Sequence, residues 1–174
     1  MLSRVEKFEA ALAQTDCDAV LVTNLKNIYY LTGFSGTEAT VFISKNRRIF
    51  LTDARYTLIA KGVVQGFDIV ETRDAIGEIV KIIADDKLQK IGFDDEISYA
   101  YFKMLESAFS AYELVPMTAF IENLRMIKDE QEIATIRKAC QISDQAFLDV
   151  LDFIKPGETT ELAVMNFLDA RMRQ

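Results

Sequence analysis

The sequence predicts an α/β fold, a mixed central sheet flanked by helices, followed by a two-helix extension. Strand and helix patterns alternate from the first residues to about residue 120, the signature of a layered α/β domain. After Ile121 no strand pattern occurs and apolar residues recur at helical spacing. Half of the 174 residues are hydrophobic and 27% are charged. That supplies one good core and excludes disordered, collagen-like and disulfide-scaffold chains.

Each element has a local reason. Ser3 and Glu6 stand at capping-box spacing around the apolar residues Val5, Phe8 and Leu12, which predicts a helix from Arg4 to Gln14. The run Asp18-Ala-Val-Leu-Val-Thr23 reads as a buried strand. Thr23 or Asn24 caps a short helix through Tyr30, with Gly33 as its stop. Ala39 to Ser44 and Arg48 to Thr52 are rich in β-branched and aromatic residues around Lys45-Asn46-Arg47, and read as a hairpin.

Asp53 is placed to cap a helix reaching Gln65 and closed by Gly66, ahead of a short strand, Phe67 to Glu71. Ile76, Ile79, Val80 and Ile83 then repeat at helical spacing. Lys90 to Phe93 is a brief strand, Ser98 to Phe109 helical, and Tyr112 to Pro116 extended. Asp129 and Glu132 form a second capping-box start, from which Ile133, Ile136, Cys140, Phe147, Val150 and Ile154 continue one stripe to Lys155-Pro156-Gly157. Thr159 or Thr160 caps a last helix through Leu162, Met165 and Leu168 to the final residue. Two helices cannot bury such stripes between themselves, so this tail is expected to dock on the first domain, on another copy of the chain or on further protein.

Composition narrows the chemistry. The chain has no histidine, which removes imidazole-based triads and histidine-containing zinc sites. A formal charge of −7 is the wrong sign for a nucleic-acid partner. Cys17 and Cys140 form no paired motif and read as buried, reduced cysteines. Charges interrupt the N-terminus early and no apolar run nears the ~18 residues of a membrane span, which points to a cytoplasmic protein.

The dense acidic clusters are Asp85-Asp86 and Asp94-Asp95-Glu96. Paired carboxylates bind hard cations or do acid–base work, but at the ends of short elements they read as solvated turn residues. Gly33 and Gly36 bracket Phe34-Ser35 in a small-residue loop that could bind a ligand. Tyr29, Tyr30 and Phe34 with Arg55 could form an aromatic-plus-cation pocket for a carboxylate. Equally, the tyrosines pack under the sheet while Arg55 caps a helix or pairs with Glu38.

Four strings occur in order: Asn27-Ile-Tyr-Tyr-Leu-Thr-Gly-Phe-Ser-Gly-Thr-Glu38, Phe50-Leu-Thr-Asp-Ala-Arg-Tyr56, Asn123-Leu-Arg-Met-Ile-Lys-Asp-Glu-Gln-Glu-Ile133 and Ile154-Lys-Pro-Gly-Glu-Thr-Thr-Glu161. Together they resemble the N-terminal region of the Xaa-Pro peptidases, prolidase (Xaa-Pro dipeptidase) and aminopeptidase P, in the creatinase superfamily. The resemblance implies a creatinase/prolidase-type N-terminal domain over residues 1–125. Residues 126–174 would be the junction and first two helices of a truncated "pita-bread" catalytic domain. In that family two divalent metal ions, Mn²⁺, Co²⁺ or Zn²⁺, are held by two Asp, one His and two Glu of the larger domain, all beyond Gln174. The resemblance therefore implies no metal and no catalytic residue here, and a chain inactive by itself.

The family's N-terminal domain builds the oligomer and sends a loop toward the active site of a neighbouring subunit. A homodimer acting on proline-containing peptides is implied, with no nucleic-acid or membrane partner. Phe34, Ser35, Thr37 and Glu38 match the position of that loop, with Arg55 as an aid to binding the substrate carboxylate. The alternative is a free-standing, non-catalytic peptide-binding or scaffold module of the same fold.

Overall fold

The computed structural model describes residues 3–173. Six strands form one sheet: β1 (Ala19–Val22), β2 (Thr40–Ser44), β3 (Arg48–Thr52), β4 (Asp68–Glu71), β5 (Lys90–Phe93) and β6 (Glu113–Pro116), in the order β4-β3-β2-β1-β5-β6. The pairs β1–β2 and β2–β3 are antiparallel, whereas β3–β4, β1–β5 and β5–β6 are parallel, so the sheet is mixed as expected.

The helices are α1 (Arg4–Leu12), α2 (Leu25–Thr32), α3 (Thr57–Val63), α4 (Ala75–Asp85), α5 (Tyr99–Ala108), α6 (Phe120–Met126), α7 (Glu130–Phe153) and α8 (Glu161–Met172). Strand β1 lies between β2 and β5 and is covered on both faces, which is why its sequence is an unbroken apolar run. Its alternate side chains go to opposite cores. Val20 and Val22 join Phe8 and Leu12 of α1, Ile28 and Leu31 of α2, Ala60 of α3 and Ile121 of α6. Ala19 and Leu21 join Ile79 and Ile83 of α4 and Leu105 of α5 on the other face.

Local chemistry sets the element ends. Glu6 N–H donates to Ser3 Oγ (3.2 Å) and Ser3 N–H to Glu6 Oε2 (2.6 Å), completing the capping box of α1. Asn24 caps α2 through Lys26 N–H (3.0 Å), and Gly33 ends it with φ +75°. The β2–β3 turn closes on Ser44 Oγ, which accepts from the N–H groups of Asn46 and Arg47. The β1–β5 pair is clamped at its start by Asp18, whose carboxylate accepts from Gln89 N–H (2.9 Å) and Lys90 N–H (3.0 Å).

Four expectations are corrected. Cys17 is buried, but Cys140 is exposed on α7, where the stripe it belongs to is left uncovered. Asp53 does not cap α3: its carboxylate accepts from Arg55 N–H and holds the Arg55 guanidinium, while its carbonyl accepts from Tyr56 and Thr57. The helix starts four residues later, at Thr57, with no side-chain cap, and stops at Val63. Asp94 is not a solvated turn residue but is 8% exposed. Helix α6 lies where no separate helix was expected; it is seven residues long and begins after Ala119, whose φ of +53° breaks any continuous pattern.

The chain divides into two compact units between Met126 and Ile127. In the second unit a capping box at Asp129 and Glu132 starts α7, and Thr160 caps α8. The two helices pack through Ala146, Val150 and a stacked Phe153–Phe167 pair with centroids 4.4 Å apart, tied by Arg171 to Asp149 (3.1 Å). Ile136, Phe147, Leu148, Leu151, Leu162 and Met165 are exposed. The final residue, to which the spacing extends α8, lies outside the described residues, as do Met1 and Leu2. Among the described residues no helix is long and apolar enough to cross a membrane.

Candidate functional site

The stretch between Gly33 and β2 contains four of the five site residues read from sequence. Gly33 turns the chain out of α2, and Phe34 N–H donates back to Thr32 Oγ1 (3.2 Å). Phe34 itself is buried at 1% exposure, edge-on to Phe50 (centroids 5.0 Å) and Tyr56 (5.7 Å). It is the foot of the loop, and its ring presents no surface to a ligand. Gly36 crosses directly over that ring: a Cβ there would lie 2.2 Å from Phe34 Cζ and 3.0 Å from Tyr56 Cδ1, so this close approach requires glycine.

Beyond Gly36, the Thr37 Oγ1 and Tyr56 hydroxyls are 2.8 Å apart. The Glu38 carbonyl accepts from Thr52 Oγ1 (2.6 Å), joining the loop to β3. Ser35, Thr37 and Glu38 are left exposed. The loop therefore displays two hydroxyls and a carboxylate from an anchored backbone, the arrangement of a binding loop on a rigid scaffold.

Arg55 adjoins this loop. Its Nε and Nη2 donate to Asp53 Oδ2 (2.9 and 2.6 Å), and its guanidinium lies 5.4 Å from the centroid of the Tyr56 ring. The hydrogen bond from Arg55 holds the Asp53 carboxyl below its usual range. Glu38, Leu51, Thr52, Asp53, Arg55 and Arg73 line a cleft of about 320 Å³ at the carboxyl ends of β3 and β4. Ligands of open α/β sheets commonly sit outside such strand ends.

A larger groove, about 730 Å³, opens at the other end of these strands beside the β2–β3 turn. Its arginines are held by carboxylates, Arg47 by Asp86 and Arg48 by Glu9, as Arg55 is by Asp53 in the smaller cleft, so the two differ chiefly in their distance from the loop. The smaller cleft, next to the loop, is the better candidate.

The structure gathers Phe34, Thr37 and Arg55 around one residue not singled out from sequence, Tyr56. Its only sequence signal is its place at the end of the Phe50–Tyr56 string. The pocket of Tyr29 and Tyr30 with Arg55 does not form. Tyr29 is exposed, and Tyr30 is buried with the Arg4 guanidinium 4.9 Å from its ring centroid.

A second polar cluster centres on Asn27, 1% exposed. Its amide nitrogen donates to Glu122 Oε1 (2.8 Å) and Asp94 Oδ1 (3.3 Å), and its oxygen accepts from Arg125 Nη1 (2.9 Å). Asp94 Oδ2 also accepts from Thr23 and Asn24 N–H (2.7 and 2.8 Å). Burial pushes the Asp94 carboxyl up, and these hydrogen bonds only partly offset it. The cluster joins α6 to the β1–α2 turn and the end of β5. Asp95 and Glu96 hold Thr118 and Asn24 instead, and Asp86 holds Arg47, so the acidic residues act as separate braces.

Among the described residues no three of His, Cys, Asp and Glu come together in a way that would hold a metal ion. With no histidine in the chain, these residues cannot supply the imidazole of the two-Asp, one-His, two-Glu set that the resemblance implies.

Residues 4–127 match the family model of the creatinase/prolidase N-terminal domain. The chain is 35% identical to the uncharacterised peptidase YqhT of Bacillus subtilis, covering 98% of this chain and 48% of that protein. It superposes on the Xaa-Pro dipeptidase from Bacillus anthracis with a TM-score of 0.86 at 35% identity, over 98% of this chain and 48% of the other. An aminopeptidase P structure from Streptococcus thermophilus is 57% identical with a TM-score of 0.69, over 70% of this chain and 95% of that one. The chain thus spans about half the length of the curated relatives it matches.

Proposed function

The chain belongs to the creatinase/prolidase N-terminal domain family, and from that premise we propose that it is the oligomer-forming, substrate-gating part of a cytoplasmic Xaa-Pro peptidase. The reaction is hydrolysis of the bond before proline, in a dipeptide or at a peptide N-terminus. The divalent metal ions of that reaction belong to a further domain, since the residues described here do not fit them. This chain's residues bind and orient. Ser35, Thr37 and Glu38 face a neighbouring subunit's substrate in a dimer, and Arg55 attracts its carboxylate.

The observation that carries this is the Phe34–Glu38 loop, anchored by a buried ring at one end and by β3 at the other while its polar side chains stay exposed. Such a loop positions a substrate without needing a reacting group. The test is kinetic. Extended with the catalytic half, the enzyme should cleave Xaa-Pro peptides, and Glu38→Ala should change KM or substrate preference more than it changes the melting temperature. The 174-residue chain alone, with Mn²⁺ added, should show no turnover. Unchanged kinetics for Glu38→Ala across several Xaa-Pro substrates would remove the gating role.

A further inference from the structure

We infer that Tyr56 is the positioning residue of the Phe34–Glu38 loop, holding it through its hydroxyl on Thr37 and its ring against Phe34. This rests on the loop reading proposed above and gives that loop its mechanical support. Tyr56 touches both sides of Gly36, with Phe34 before it in the chain and Thr37 after it. Gly36 has the greatest backbone freedom of any residue in the segment, so its neighbours decide the path.

Two fixed points bound the segment: the bond from Phe34 N–H to Thr32 and the bond from Thr52 to the Glu38 carbonyl. Among the described residues, the hydroxyl pair of Thr37 and Tyr56 is the one hydrogen bond made by residues 35–37. Without it, Ser35, Gly36 and Thr37 would span the two anchors held by packing alone. The same ring also carries the Arg55 guanidinium, so loop and cation are referred to one rigid aromatic plane.

A residue that only filled the core would need the ring and not the hydroxyl. That hydroxyl bond is exposed, so it adds little to global stability and acts chiefly on where the loop sits. Tyr56→Phe and Thr37→Val remove it from either side while leaving the buried rings in place. In the 174-residue chain, each variant should lower the NMR backbone order parameters at residues 35–38 and leave the melting temperature nearly unchanged. In the complete enzyme, each should raise KM for an Xaa-Pro dipeptide roughly fivefold, the ratio expected for one such bond, with kcat nearly unchanged. The double variant should be no worse than either single one.

The control replaces Ser35, Thr37 and Glu38 together by glycine. If that replacement raises KM while Tyr56→Phe and Thr37→Val do not, the loop reading stands and the role given to Tyr56 is overturned. Effects of the two single variants that simply add would overturn it as well, by showing that Tyr56 acts elsewhere than on Thr37. If replacing the loop leaves KM unchanged, the loop reading itself fails.

Discussion

Replacing Asn27 by leucine should unfasten α6 from the sheet. Leucine matches asparagine in shape, so the loss is polar and does not create a cavity. Three hydrogen bonds go, to Glu122 at 2.8 Å, to Asp94 at 3.3 Å and from Arg125 at 2.9 Å, each with a charged partner. Hydrogen bonds to charged groups contribute about 1.5–3 kcal/mol each when well formed. Asp94 keeps its two backbone donors, and the half-buried Glu122 and Arg125 can turn toward water or each other, which recovers part of the loss. The leucine side chain adds about 1 kcal/mol of apolar burial. The net cost is about 2–4 kcal/mol, which for a domain of this size lowers the melting temperature by roughly 8–16 °C. Guanidinium unfolding followed by circular dichroism would read this as a lower midpoint with an unchanged slope. Asn27→Leu combined with Arg125→Met should cost less than the sum of the two, since both break the same bond. A loss under about 1 kcal/mol, or full additivity, would refute the view that these four residues act as one unit.

Gly36→Ala should destabilise the chain by about 1–3 kcal/mol, measured by thermal melt, because the added methyl meets a Phe34 ring fixed between Phe50 and Tyr56. Asp18→Asn probes pH. The backbone donors of Gln89 and Lys90 hold the Asp18 carboxyl below the usual aspartate value of 3.8, so its ionised form stabilises the fold above that pH. This contribution fades as pH falls through the folded-state value, so the variant should cost about 1 kcal/mol at pH 7 and show little difference from the parent in strong acid. A gap that persists in acid would mean that packing, not charge, carries the effect. Truncation after Met126 should leave a cooperative melt and weaken self-association, read by sedimentation at several concentrations. An unfolded product would show that α7 and α8 belong to the first core.

Short-range chemistry made much of this fold legible in the sequence. The two capping boxes, the Gly33 stop, the β2–β3 hairpin and the unbroken apolar run of β1 each depend on residues within a few positions of one another. Asp53 misleads because two local partners compete for it. Its carboxylate can cap a helix or close on Arg55, and the second geometry wins by supplying two guanidinium donors and an N–H. Helix α6 is too short for a helical period to stand out, and most of its stability comes from packing.

By itself, then, the sequence determined the order of the elements other than α6, the mixed α/β class, the helical tail and a chain with no imidazole to give a metal. Its four ordered strings also pointed to the family. Tertiary structure alone decided that Asp94 is buried, that Tyr56 stands between Phe34, Thr37 and Arg55, and that Asn27 bonds to partners 67, 95 and 98 residues away. The reason is separation along the chain. A cap or a turn is encoded by neighbours, whereas a buried polar group must find its partners through the order in which strands pair, and no local pattern records that order.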